Sequence, residues 1–210
     1  MNDAVYGHQY IYIPWSKNGS HSAASIAATK LIAAKHRLPI TVVAGTLQSV
    51  PDEFSRAAKV TERSGSVKAG GVVLAYYPTN KLMSKIDQLS NSIVILAEWH
   101  QDNHSGWAKS VGAYNLVTDE MMTEGLSAAG NEAIDALLSA GYKGWHDAIA
   151  VRQARDALDE LLQSGGYDRH VVLFRARKSR GESGISKLYS ILDQFETKNT
   201  IEADGSRRAE

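Results

Sequence analysis

The chain has 210 residues, enough for one domain with a small appendage or for two small domains. Apolar residues make up 43%, so a core can be buried, and 23 Lys and Arg balance 23 Asp and Glu, so bulk charge points to neither nucleic acid nor membrane. The absence of cysteine excludes disulfides, thiolate metal sites and cysteine nucleophiles.

The first residues, "MNDAVYGHQYIYIPW", have no basic segment followed by an apolar run of leader length. No segment approaches the roughly 18 consecutive apolar residues of a membrane span. A cytoplasmic location is the expectation.

Five short apolar runs then alternate with helical patterns. "YIYI", Tyr10 to Ile13, is the first strand. A helix is expected over 21–36, with Ile26, Ala27, Lys30, Leu31 and Ala34 at helical spacing. "ITVVA", 40–44, is the second strand, and "SVPDEFSRAAKV", 49–60, predicts a short helix with Ser49 as cap and Pro51 early in it. The third strand covers 72–76. Leu82, Met83, Ile86 and Leu89 then define one face of a helix. "SIVILA", 92–97, is the fourth and most apolar strand. A short helix closing near Gly112 leads to a weaker fifth strand, "YNLV", 114–117.

After about residue 120 the pattern is helical only. Helices are expected over 131–141, over "HDAIAVRQARDALDELLQSGG" with Val151, Ala154, Leu158 and Leu161 as its stripe, and over "DRHVVLFRARKSRG". The last helix, "SGISKLYSILDQF", carries Ile185, Leu188, Leu192 and Phe195 on one face and follows a Gly/Ser turn, "SRGESG".

Strands alternating with helices require crossover connections and hence a largely parallel sheet. The layout over roughly the first 120 residues resembles Rossmann-like α/β folds. The expected architecture is α/β: a Rossmann-like, mostly parallel sheet of about five strands with helices on both faces, followed by a small C-terminal helical unit. The expected divisions are 1–125 for the α/β domain, 126–198 for the helical unit and 199–210 for a flexible tail. Segments such as "GGVVLAYYPT" and "GWAKSVGAYNLV" are similar in character to bacterial and phage proteins, a likeness that carries no function with it.

In open parallel sheets, ligands bind in the crevice at the carboxyl ends of the strands. The loop after the first strand, "PWSKNGSHSAA", opens a helix there. It lacks the G-x-x-x-x-G-K-[ST] spelling of a P-loop: Gly19 is followed by Ser20, and Lys17 precedes the glycine. The general physics of a helix N-terminus remains, with Lys17, Ser20 and Ser22 able to meet an anion. An ordinary capped turn explains the same residues. Thr46 after the second strand and Asn80 after the third complete the expected ligand-binding set.

The fourth strand ends in "AEWHQDNH". The stretch "AEWH" is similar to the D-E-x-H box of helicases, but Ala97 stands where that box has its magnesium-binding aspartate. Glu98 and His100 are the expected acid and base if the protein is an enzyme. Glu98, His100, Asp102 and His104 also form a run of potential metal ligands, to which Asp119 or His146 can be added. The alternative is a polar loop over the sheet edge; no metal is assigned and no cofactor is identified.

Trp15 and Trp99 both follow strands at the same edge, where they can stack a base or a sugar or simply cover the sheet. The one basic bias lies in 169–187, with six Lys or Arg against Glu182 alone. Arg175, Arg177, Lys178 and Arg180 are its candidate nucleic-acid contacts, set against a solvated face or a protein partner. The functional expectation is a non-catalytic accessory or regulatory protein that binds a nucleotide, nucleic acid or protein partner. A hydrolase acting on a phosphate-containing substrate, metal-dependent or not, is the rival, and an assembly protein with C-terminal helices joining homo-oligomers is the third reading.

Overall fold

The computed structural model describes residues 7–16, 21–87, 89, 91–99 and 103–199. The chain divides into two compact units, Met1–Thr123 and Glu124–Glu210.

The first unit is built on a sheet of seven strands in the order β3-β2-β4-β5-β1-β6-β7. They are β1 Tyr10–Ile13, β2 Ile40–Val43, β3 Ala58–Val60, β4 Val72–Tyr76, β5 Ile93–Ala97, β6 Tyr114–Asn115 and β7 Glu120–Met121. Among the described residues, the pairings between these strands are parallel except β6 with β7. The helices of this unit are α1 Ser22–His36, α2 Asn80–Ile86 and α3 Ser105–Ser110. The mostly parallel α/β architecture is as the alternating pattern requires.

Two strands exceed the expected five. The segment 49–60 is not a short helix: it makes 3₁₀ turns at Leu47–Ser49 and Asp52–Phe54, and its last three residues are β3. Pro51 is the residue before the second turn rather than inside a helix. Phe54 anchors the segment by burial, and β3 pairs beside β2 with Thr41 opposite Ala58. β7 is a two-residue return strand with both side chains exposed, so it carries no apolar signal.

The α1 stripe also differs from expectation. Ala27, Lys30, Leu31 and Ala34 face solvent, while Ser25, Ala28, Thr29, Ile32 and Ala33 are buried. The buried face includes two hydroxyl residues, which disguise it. Ser25 Oγ donates to the Ser22 carbonyl at 2.8 Å and Thr29 Oγ1 to the Ser25 carbonyl at 2.7 Å. Back-bonding of this kind removes the penalty for burying a hydroxyl.

β1 leads through α1 to β2, passing over β5 and β4, whereas β5 leads through α3 to β6, passing over β1. Right-handed crossovers running in opposite directions put their helices on opposite faces. The side chains agree. Ile11 and Ile13 pack in one cluster with Ala28 and Ile32 of α1, while Trp107 of α3 meets the ring of Tyr10 edge-on at 5.9 Å, on the alternate face. The C-terminal ends of β1 and β5 therefore form a switch point, where ligand crevices of open α/β sheets lie.

The second unit contains α4 Ala128–Ala140, α5 Ala148–Gln163, α6 Arg169–Gly184 and α7 Ser186–Asn199. Ser127, Asp147 and Asp168 cap the first three, each accepting a backbone N–H of the first turn. α4 begins earlier than the expected residue 131, because its Ser127 cap precedes the helix-weakening Gly130. The expected turn over 179–184 is a kink within α6, at Gly181 with φ 71°. The stripes read from α5 and α7 do line the core: Ala154, Leu158, Leu161, Leu188, Leu192 and Phe195 are buried there around Trp145. The expected flexible tail lies outside the described residues beyond Asn199. Among the described residues, no helix is long and apolar enough to cross a membrane.

Candidate functional site

Parallel register brings three strand ends level. Ile13 of β1 pairs with Ala97 of β5, and Ala97 pairs with Tyr76 of β4. Trp15, Tyr77 and Glu98 therefore leave the sheet at one edge, beside the switch point.

Glu98 ties that edge together. It continues the β5 alternation on the face of Tyr12 and is only 8% exposed. Oε1 accepts the His104 N–H at 2.7 Å and Oε2 accepts the Trp15 N–H at 3.1 Å. The Tyr12 hydroxyl donates to the same carboxylate. Burial pushes the Glu98 carboxyl above its ordinary range, and the hydrogen bonds from His104, Tyr12 and Trp15 oppose the shift without cancelling it. Tyr12 is raised well above the ordinary phenol value, first by burial and then by the neighbouring carboxylate. His104 extends the network: its Nε2 donates to the Pro78 carbonyl at 2.7 Å. One carboxylate and one imidazole thus connect the segments that follow β1, β4 and β5.

On the other face of the edge lies an aromatic step. The Tyr76 and Tyr77 ring centroids are 4.1 Å apart, and those of Tyr77 and Trp99 are 4.9 Å apart. Trp99 is 39% exposed. Ser22, the first residue of α1, shares a 2.6 Å hydrogen bond with the Tyr76 hydroxyl, which fixes the start of that helix against the end of β4.

Of the expected ligand-binding residues, Ser22 joins this edge through Tyr76. Lys17 and Ser20 lie outside the described residues, as does His100, the second expected catalytic group. Thr46 is two strands away from β5 in the sheet, and its hydroxyl closes its own loop on Ser49 Oγ at 2.9 Å. Asn80 opens α2, next to Thr79, whose hydroxyl donates to Glu62 Oε1 at 2.6 Å. Asp102 is also outside the described residues, and among the described residues no group of three or more His, Asp or Glu is gathered to hold a metal ion. Sequence reasoning missed Tyr12, Tyr76 and Tyr77. The Tyr76-Tyr77 doublet at the end of an apolar strand was the signal available.

The basic segment of α6 is largely engaged within its own unit. Arg175 forks onto Glu124, with Nε at 3.1 Å from Oε1 and Nη2 on Oε2. Arg177 donates to Glu182 at 2.7 Å and to the Tyr189 hydroxyl at 2.6 Å. Arg180 donates to the Leu138 carbonyl at 2.9 Å and lies over the Tyr142 ring at 5.4 Å. Lys178 is exposed. A phosphate would have to compete with Glu124 and Glu182 for two of the four cations.

Comparison of the chain with protein-family models, with curated proteins and with solved structures returns no match.

Proposed function

We propose that this chain is a non-catalytic accessory or regulatory protein of the cytoplasm. Its ligand, a nucleotide or a related anionic molecule, is bound at the C-terminal edge of the parallel sheet. The observation that carries this reading is the employment of Glu98. Among the described residues, the acid at the switch point, Glu98, is buried and accepts three hydrogen bonds from its own chain, two of them backbone N–H groups. A carboxylate held in this way organises loops; reaching a substrate proton would require releasing them. The neighbouring Trp99 is 39% exposed. The cysteine-free composition supports a reducing compartment.

A hydrolase acting on a phosphate-containing substrate has one observation in its favour: burial holds Glu98 toward its protonated form, as a general acid requires. The two readings separate in one experiment. The full chain is screened against nucleoside mono-, di- and triphosphates by thermal shift, and phosphate release is followed in the same samples. A binder at 100 times its dissociation constant adds about 2.7 kcal/mol of stability. Binding without turnover is the expected result, and turnover lost in Glu98→Gln would replace this reading by the hydrolase. Nucleic-acid contact through Arg175, Arg177, Lys178 and Arg180 has less support, because the three arginines are engaged within their own unit and Lys178 alone of the four is exposed. Salt-dependent DNA or RNA binding that weakens in Lys178→Ala would reinstate it.

A further inference from the structure

We infer that the trough between the end of α4 and the start of α5 is a twofold contact between copies of this chain. It is built from residues of the helical unit alone and does not depend on the ligand of the strand edge.

The trough follows from how the chain turns. α4 runs into a 3₁₀ turn, Gly141–Lys143. Gly144 and Trp145 then adopt left-handed backbone in succession, with φ 86° and 58°, and Asp147 caps α5. The Trp145 indole is fully buried and fills the space beside Gly141. With the indole turned inward, its sequence neighbours on either side face out: Tyr142 is 76% exposed and Ile149 62% exposed. Both line a trough of about 580 Å³, whose wall also holds Ala140, Lys143, Asp147 and Gln153. Arg180 lies over the Tyr142 ring at 5.4 Å and supports it from one side. Large apolar side chains gathered on one exposed corner mark a protein contact.

The charges identify the occupant. Lys143 and Asp147 sit on the same trough, one of each sign. Among the described residues, neither forms an ion pair within its own chain. Asp147 is fixed in place, because its Oδ1 accepts the Ala150 N–H at 2.8 Å. A partner of one sign would meet one of these charges with its like. A second copy turned about a twofold axis meets both with their opposites, Lys143 against Asp147 of the second copy and the reverse. The same rotation sets the Tyr142 of each copy into the trough of the other. The chain's own last residues do not reach. Arg169 pairs with Asp193 and Glu196, so the end of α7 lies beside the start of α6. The trough lies by Arg180, about 16 Å further along α6. Ile201, the one large apolar residue after Asn199, extends at most about 7 Å beyond it. Nine residues line the trough, against roughly 20–30 a side in a standard interface, so the association is weak and follows concentration.

Sedimentation equilibrium of the full chain over roughly 10 μM to 1 mM tests this, a range suited to an interface below standard size. The apparent mass should rise from that of one chain toward that of two. Tyr142→Ser and Ile149→Ser should each weaken association by about tenfold or more, the scale of truncating a central contact. Leu47→Ser, at a position of the other unit that is 62% exposed, should leave it unchanged. Lys143→Glu should weaken it by setting like charges across the axis. Adding Asp147→Asn, which keeps a capping side chain, should recover part of that loss, the mark of a contact that faces itself. The substituted side chains are all exposed, so each variant should keep the parent's cooperative melt. A single chain's mass at every concentration overturns the proposal. So does association that survives Tyr142→Ser and Ile149→Ser, that falls equally in Leu47→Ser, or that Asp147→Asn fails to recover in Lys143→Glu.

Discussion

Trp145 fills the centre of the helical unit because residue 141 has no side chain. A Cβ built on Gly141 lies 2.0 Å from indole carbons of Trp145, whose Nε1 donates to the Leu137 carbonyl at 3.2 Å. Gly141→Ala must push a fully buried ring off its hydrogen bond. A loss of about 3 kcal/mol, the upper end of overpacking, is expected in urea denaturation. Glu98 makes a second prediction, on pH. Its carboxyl is held above the ordinary glutamate range in the folded state, so the folded chain binds the proton more tightly than the unfolded one. Its contribution to stability is fully present below the unfolded value and is lost as pH rises through the folded one. Denaturation midpoints measured from acid to neutral pH should therefore shift in favour of Glu98→Gln as pH increases; a difference flat with pH would refute the assignment. Glu98 was legible in the sequence as the acid ending the most apolar strand. Tyr77 was not, since nothing in the letter Tyr announces a left-handed backbone.

At the level of elements, periodicity carried well where apolar residues alone defined a face. The stripes of α2, α5 and α7 were readable for that reason: Leu82, Met83 and Ile86 are all buried, as are Leu158 and Leu192. α1 defeated the same reasoning because Ser25 and Thr29 turn inward and satisfy their hydroxyls on the preceding turn. β3 was unreadable because a three-residue strand shows no period, and what holds its far end is distant in sequence. Lys85 of α2 donates to the carbonyls of Thr61 at 3.0 Å and Gly65 at 3.1 Å. Caps were no surer a signal: Ser49, expected to cap a helix, ends a 3₁₀ turn instead, while the caps Ser127, Asp147 and Asp168 were not read. Asp168 Oδ1 accepts N–H bonds from His170 at 2.8 Å and Val171 at 3.1 Å. Asp168→Ala should destabilise α6 by about 1–2 kcal/mol, and Asp168→Asn by much less, in the same denaturation assay.

Over the whole molecule, each unit has a core of its own. One gathers Ile11, Leu74 and Ile95 with α1; the other gathers Leu137, Leu158 and Leu188 around Trp145. Within the helical unit, Arg169 pairs with Asp193 at 2.7 Å and with buried Glu196, to which the Tyr167 hydroxyl also donates at 2.7 Å. A core and a satisfied ion network in one segment are the attributes of a piece that folds by itself. Residues 124–210 produced alone should give a helical circular-dichroism spectrum and a cooperative melt; a spectrum without a transition would refute this. The sheet of the other unit ends on one side in β3, of 3 residues, and on the other in β7, of 2 residues. Neither margin offers a foreign strand a ladder long enough to copy. Growth by strand templating, whether into a fibril or onto a peptide guest, has only these short edges to start from, and loops or helices are the expected contact surface for a protein that engages this unit.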